Sequence, residues 1–102
     1  MQLGYTILYV PDVPATLKFY EAAFGLITRF LHESGDYGEL ETGSTALAFS
    51  SHSLMQQLGK NPQAASPTAP CFEIALCTPD VAAALARAVI NGFLVELCTP
   101  VA

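Results

Sequence analysis

The chain reads as an α+β protein made of two copies of a β-α-β-β-β unit, the second copy two strands short. Pro11-Asp12-Val13 returns as Pro79-Asp80-Val81, 68 positions later, and Leu8, Ala15 and Leu17 return at the same offset as Leu76, Ala83 and Leu85. Each copy follows a run with strand character and opens a stretch with apolar residues at helical spacing. The repeat also makes Tyr5 and Glu73 counterparts. With 102 residues, 52 % hydrophobic and 13 % charged, the chain has enough apolar material for one core and too little charge for disorder.

Leu3 to Val10 is a β-branched and aromatic run that predicts a strand, with Tyr5, Ile7 and Tyr9 on one face. Asp12 is a good N-cap, Pro14 is tolerated in a first helical turn, and Val13, Leu17, Tyr20 and Phe24 fall at helical spacing before the stop at Gly25. Leu26 to Leu31, Tyr37 to Glu41 and Thr45 to Ser50 predict three more strands, separated by Ser34-Gly35-Asp36 and Gly43-Ser44. A short helix is expected over Ser51 to Leu58. The first module with this helix thus occupies residues 1–59, a Pro-rich linker 60–70 and the second module 71–102.

In the second module Cys71 to Cys77 predicts a strand, and Asp80 caps a helix striped by Val81, Ala84, Leu85, Ala88 and Val89. Asn91-Gly92 is a hairpin signal with the strand Phe93 to Cys98 behind it, but Ile90 alone cannot form the strand in front. Two strands, roughly 20–30 residues at ordinary strand and loop lengths, are missing. Truncation in the natural chain is one explanation. A stretch absent near Val89/Ile90 is the favoured one, because a half-hairpin leaves strand edges open.

The net charge of −5, with only four Lys or Arg, argues against nucleic acid or an anionic membrane as partner. No signal-peptide pattern or long apolar run is present, so the expected location is the cytoplasm. The scarcity of charge suggests apolar surface covered by an identical subunit, hence a homodimer. Three cysteines without CxxC spacing argue against a disulfide framework and a zinc knuckle, and they read as small buried hydrophobes. His32 and His52 read as structural, and neither signals a Cys–His nucleophile pair.

Ile7-Leu8-Tyr9-Val10-Pro11-Asp12-Val13, Phe19-Tyr20, Phe24-Gly25-Leu26, Glu73-Ile74-Ala75-Leu76 and Asn91-Gly92-Phe93-Leu94-Val95-Glu96-Leu97, in that order, resemble the vicinal oxygen chelate superfamily of glyoxalases, bleomycin-resistance proteins and extradiol dioxygenases. The resemblance implies two βαβββ modules whose mixed sheet curls around a cavity, usually in a homodimer. It also implies two strands ahead of the Asn-Gly turn. Enzymes of this group hold a divalent metal with one side chain from each of four strands, and the metal polarises substrate oxygens. Carried onto this sequence, those positions fall on Tyr5, near Ala48, on Glu73 and on Glu96. Tyr5 stands where a histidine is expected, and a phenol, with an ordinary pKa of about 10, is a poor ligand near neutral pH. Ala48 stands where an acid is expected and has no donor atom. Glu73 and Glu96 are oxygen donors of the kind that hold a hard cation with water.

Strand alternation places Tyr5, Tyr9, Ala48, Ser50, Glu73 and Glu96 on the faces that would line the cavity. That lining suits a small, partly apolar ligand with a cationic or hydrogen-bond-donating group. The leading expectation is a small-molecule binder in a dimeric cavity, without cofactor or catalytic metal. The alternative is a metal-dependent lyase, isomerase or dioxygenase with an atypical site, using Glu73 and Glu96 as ligands or one of them as base. A third is an interaction module without chemistry. Glu73 on a solvent-facing strand or subunit interface, and Tyr5 and Tyr9 as ordinary core or interface aromatics, are the plain readings beside these.

Overall fold

A computed structural model describes residues 1–66 and 68–79 and the strand Val95–Cys98. The chain divides into two compact units, residues 1–64 and 65–102. In the first, β1 (Tyr5–Val10), α1 (Val13–Phe24), β2 (Ile27–Leu31), β3 (Tyr37–Glu41) and β4 (Ala46–Ser51) follow one another, and α2 (His52–Gln57) closes the unit. The strands form one mixed sheet in the order β1-β4-β3-β2. β1 runs parallel to β4, and the other two pairs are antiparallel. The predicted β-α-β-β-β order is therefore present, with ends shifted by one or two residues.

Local chemistry sets the helix ends. The Asp12 carboxylate accepts the Ala15 N–H at 3.1 Å, and Pro14 sits in the first turn. Gly25, at φ 68°, takes the left-handed conformation that ends α1 and donates its N–H to the Glu21 carbonyl. One face of α1, with Val13, Leu17, Tyr20 and Ala23, is buried with Leu8, Val10, Leu40, Leu47 and Phe49 of the sheet. Gly38 makes the close approach possible. A Cβ there would stand 2.7 Å from Leu17 Cδ1 and 3.2 Å from Val13 Cγ1.

On the opposite face the small β4 residues Ala46, Ala48 and Ser50 are buried, but the β1 side chains are not. Tyr5, Ile7 and Tyr9 of β1 are 53 %, 45 % and 38 % exposed, although all three sit in a strand that pairs fully with β4. Here the sheet leaves a half-open apolar stripe.

The second unit contains β5 (Ile74–Cys77) and β6 (Val95–Cys98), paired in parallel as β1 and β4 are. The correspondence extends to register. Thr6 faces Leu47 in the first unit, and its repeat counterpart Ile74 faces Val95 in the second. Glu96, opposite Ala75, is thus the positional counterpart of Ala48, opposite Ile7. Thr6 and Leu47 are 41 positions apart, whereas Ile74 and Val95 are 21 apart, so this connection is 20 residues shorter in the second unit. The expected helix from Val81, the Asn91-Gly92 turn and the break near Val89/Ile90 lie outside the described residues.

Two expectations need correction. The strand expected from Cys71 begins at Ile74, and Cys71 and Cys77 are exposed rather than buried hydrophobes. His32 lies just past the end of β2, where its Nδ1 accepts the Ser34 N–H at 3.0 Å and shapes the turn. Among the described residues, no helix is long and apolar enough to cross a membrane.

Candidate functional site

The open face of the first-unit sheet can be read row by row from the strand register. Ile7 faces Ala48, Ala48 faces Glu39, and Glu39 faces Phe30. The next row runs Tyr9, Ser50, Tyr37. Residues paired directly across strands point to the same side, so these side chains share one surface. Ala46, Ala48 and Ser50 are small and buried, at 1 %, 0 % and 4 % exposure. They form a low central line between taller β1 side chains and those of β3 and β2. Ala48 and Ser50, expected to line a site, lie beneath its surface.

The far side of this line holds a hydrogen-bonded cluster. Arg29 donates from Nε at 3.0 Å and Nη2 at 2.8 Å to one oxygen of Glu39, and Tyr37 donates its hydroxyl to the other at 2.7 Å. Glu41 stands 4.0 Å from Arg29 Nη1. The hydrogen bonds from Tyr37 and then Arg29 hold the Glu39 carboxyl below its ordinary range. Desolvation, followed by the bond to Glu39, pushes the Tyr37 phenol up to about 12. Glu39 is therefore a fixed anion and Tyr37 a proton donor.

A β-bulge builds this cluster. Thr28 faces Leu40, but the next pair is Phe30 with Glu39, which leaves Arg29 as the extra residue. The shift turns Phe30, 46 % exposed, onto the open face and brings Leu31 opposite Gly38 on the helix side. On that side Thr28 Oγ1 bonds to the Glu21 carboxylate of α1. Alternation within Tyr37-x-Glu39-x-Glu41 was a readable signal for Tyr37 and Glu39. Nothing local to Arg29 marks the bulge.

Tyr9 is tied at both ends of α2. Its carbonyl oxygen lies 3.2 Å from His52 Nε2, and its hydroxyl accepts from Lys60 Nζ at 3.2 Å. In the second unit, Glu73 is exposed immediately before β5 and Glu96 occupies β6. Tyr5, Tyr9, Ala48 and Ser50 thus lie on the first unit's sheet, Glu96 on the second unit's sheet and Glu73 just ahead of it.

The family model for the glyoxalase/bleomycin resistance protein/dioxygenase superfamily matches residues 2–97. The chain belongs to this superfamily. Solved structures agree on the fold of this glyoxalase-superfamily chain. A gene product from Arabidopsis thaliana is 21 % identical, with a TM-score of 0.65 over 87 % of this chain and 70 % of the other. A glyoxalase-related enzyme from Fulvimarina pelagi is 20 % identical, with a TM-score of 0.69 over 87 % of this chain and 63 % of that one. A glyoxalase/bleomycin resistance protein/dioxygenase family enzyme from Burkholderia phytofirmans is 20 % identical, with a TM-score of 0.63 over 87 % and 72 %. The chain is thus substantially shorter than each. No curated protein matches it.

Within this superfamily, the first-unit positions expected to hold a metal do not fit one. Tyr5 offers a half-exposed phenol and Ala48 a buried methyl. Among the described residues, no group of three or more His, Cys, Asp or Glu is placed to hold a metal ion. The acid nearest in register to Ala48 is Glu39, and both its oxygens already accept from Arg29 and Tyr37.

Proposed function

We propose that this chain binds a small, partly apolar organic molecule against the open face of its first-unit sheet, as a metal-independent member of the superfamily. The observation that carries this reading is the half-exposed stripe Tyr5, Ile7 and Tyr9, set across a line of small residues from the Arg29–Glu39–Tyr37 cluster. Such a surface combines apolar area for affinity with fixed donors and acceptors for orientation. Glu73 and Glu96 are proposed separately, as ligand-contacting acids of the second unit taken by itself. Dimerisation, which would cover part of the exposed apolar area, and a cytoplasmic location complete it.

A thermal-shift screen of metabolite-sized compounds tests the binding reading, because only ligands of the native state raise its stability. The expected result is a compound that raises the Tm of the wild type, and that of Tyr5→Ala by less. A hit set acting equally on both proteins would remove Tyr5 from the site. Metal analysis of the purified protein tests the rest. Stoichiometric metal in the wild type that disappears in Glu96→Gln would overturn the metal-independent reading in favour of a metal-dependent enzyme.

A further inference from the structure

Lys60 ends the α2 segment in a fixed position. Gly59, at φ 84°, donates its N–H to the Gln56 carbonyl at 3.0 Å, and the Lys60 N–H bonds to the Met55 carbonyl at 2.9 Å. This paired closure satisfies the last carbonyls of the helix and sets the direction in which the chain leaves it. The Lys60 side chain returns to the sheet. Its Nζ lies 3.2 Å from the Tyr9 hydroxyl and 5.6 Å from the centre of the Tyr9 ring. An ammonium group has three donors, and this contact uses one. Among the described residues, no carboxylate lies within 4.0 Å of it, whereas Arg29 is committed to Glu39 and Glu41.

The cation therefore stands at one end of an apolar stripe. Tyr5, Ile7 and Tyr9 are alternate residues of one strand, so the stripe is about 13 Å long at about 3.3 Å per residue. The Ile7 row leads through Ala48 to Glu39, whose carboxylate disfavours a second negative charge there. Resting on the open-face binding reading, we infer that Lys60 receives the head group of an organic anion, a carboxylate or sulfonate, whose apolar body lies along Tyr9, Ile7 and Tyr5. The polarity of the first-unit face is thus opposite to the cationic ligand that Glu73 and Glu96 suggest from sequence alone.

Two fluorescent probes with the same ring system separate the charge from the apolar contact: 8-anilinonaphthalene-1-sulfonate, which is anionic, and N-phenyl-1-naphthylamine, which is neutral. Both are titrated into wild type, Lys60→Met, Lys60→Arg and Tyr5→Ala, each with an intact thermal transition. Lys60→Met keeps the apolar stem and removes the charge. It is expected to weaken the sulfonate probe by about five- to tenfold and to leave the neutral probe within about twofold, with Lys60→Arg close to wild type. Tyr5→Ala is expected to weaken both. Equal effects of Lys60→Met on the two probes, or none on either, overturn the anion assignment while the Tyr5 result upholds the open face. Loss of the sulfonate in Lys60→Met without any effect of Tyr5→Ala separates Lys60 from the stripe and overturns the proposal. Failure of both probes to bind wild type overturns it together with the reading it rests on.

Discussion

Glu39 of β3 stands directly opposite Ala48 of β4, so a carboxylate lies one strand away from the position where Ala48 offers no donor atom. There it is no ordinary acid, because its two oxygens accept from Arg29 and Tyr37. These bonds hold its ionisation below the ordinary 4.5, so its contribution is present above that value in the folded protein and lost as pH falls through the lowered one. Glu39→Gln is expected to lower Tm by about 2–4 °C at pH 7. Thermal melts from pH 7 to pH 3 should show the gap closing as the wild type loses the charge that the variant lacks. The Tyr37 phenol, raised to about 12, works in the other direction. Its contribution is complete below pH 10 and declines as pH rises through about 12.

Gly38 leaves no room for a side chain beneath α1, and it tests the packing. A methyl group at this position would meet Leu17 Cδ1 at 2.7 Å and Val13 Cγ1 at 3.2 Å. Both neighbours are buried, at 2 % and 0 % exposure. Overpacking of this kind costs about 1–3 kcal/mol. Gly38→Ala should lower the urea midpoint accordingly with little change in slope. The Leu17 terminus is the closer contact, so Leu17→Ala in the same chain should cost less than the sum of the two single changes.

Local signals made most of the first unit legible. Asp12, Pro14 and Gly25 mark the ends of α1, and alternation from Tyr5 to Tyr9 puts those three side chains on one face from sequence alone. The repeat carried further, since it equates Thr6 with Ile74 and the parallel pairing obeys that equation. The cluster around Arg29 was hidden because a bulge is a defect in pairing, and strict alternation sends Phe30 to the wrong face. Lys60 read as the first residue of a linker. Its return to Tyr9 depends on the left-handed turn at Gly59 and on a partner 51 positions away, neither of which a local window reveals.

The Asp12 cap recurs in sequence as Asp80, but only the first copy has its contact described. In that copy the carboxylate holds Ala15 N–H, and the Asp12 carbonyl accepts from both Thr16 N–H and Thr16 Oγ1. Asp12→Ala removes the first bond and leaves the others. A loss of about 0.5–2 kcal/mol is expected by chemical denaturation, and Asp12→Asn should recover most of it, because an amide oxygen accepts the same bond.

Tyr20 gives the opposite case, a core residue whose polar atom has no visible use. It is fully buried, packed on Phe49 with ring centres 5.3 Å apart, and its hydroxyl has no hydrogen-bond partner among the described residues. Burial alone pushes its phenol up to about 12. An unsatisfied buried hydroxyl costs about 1–3 kcal/mol, whereas the ring supplies the packing with Phe19, Phe24 and Phe49. Tyr20→Phe removes the hydroxyl and keeps the ring, so it should match or exceed the wild-type stability, by up to about 1 kcal/mol. Tyr20→Ala loses the ring as well and should cost about 3–5 kcal/mol. Chemical denaturation of the two variants separates these terms, and a Tyr20→Phe chain clearly weaker than wild type would show that the hydroxyl holds a buried water.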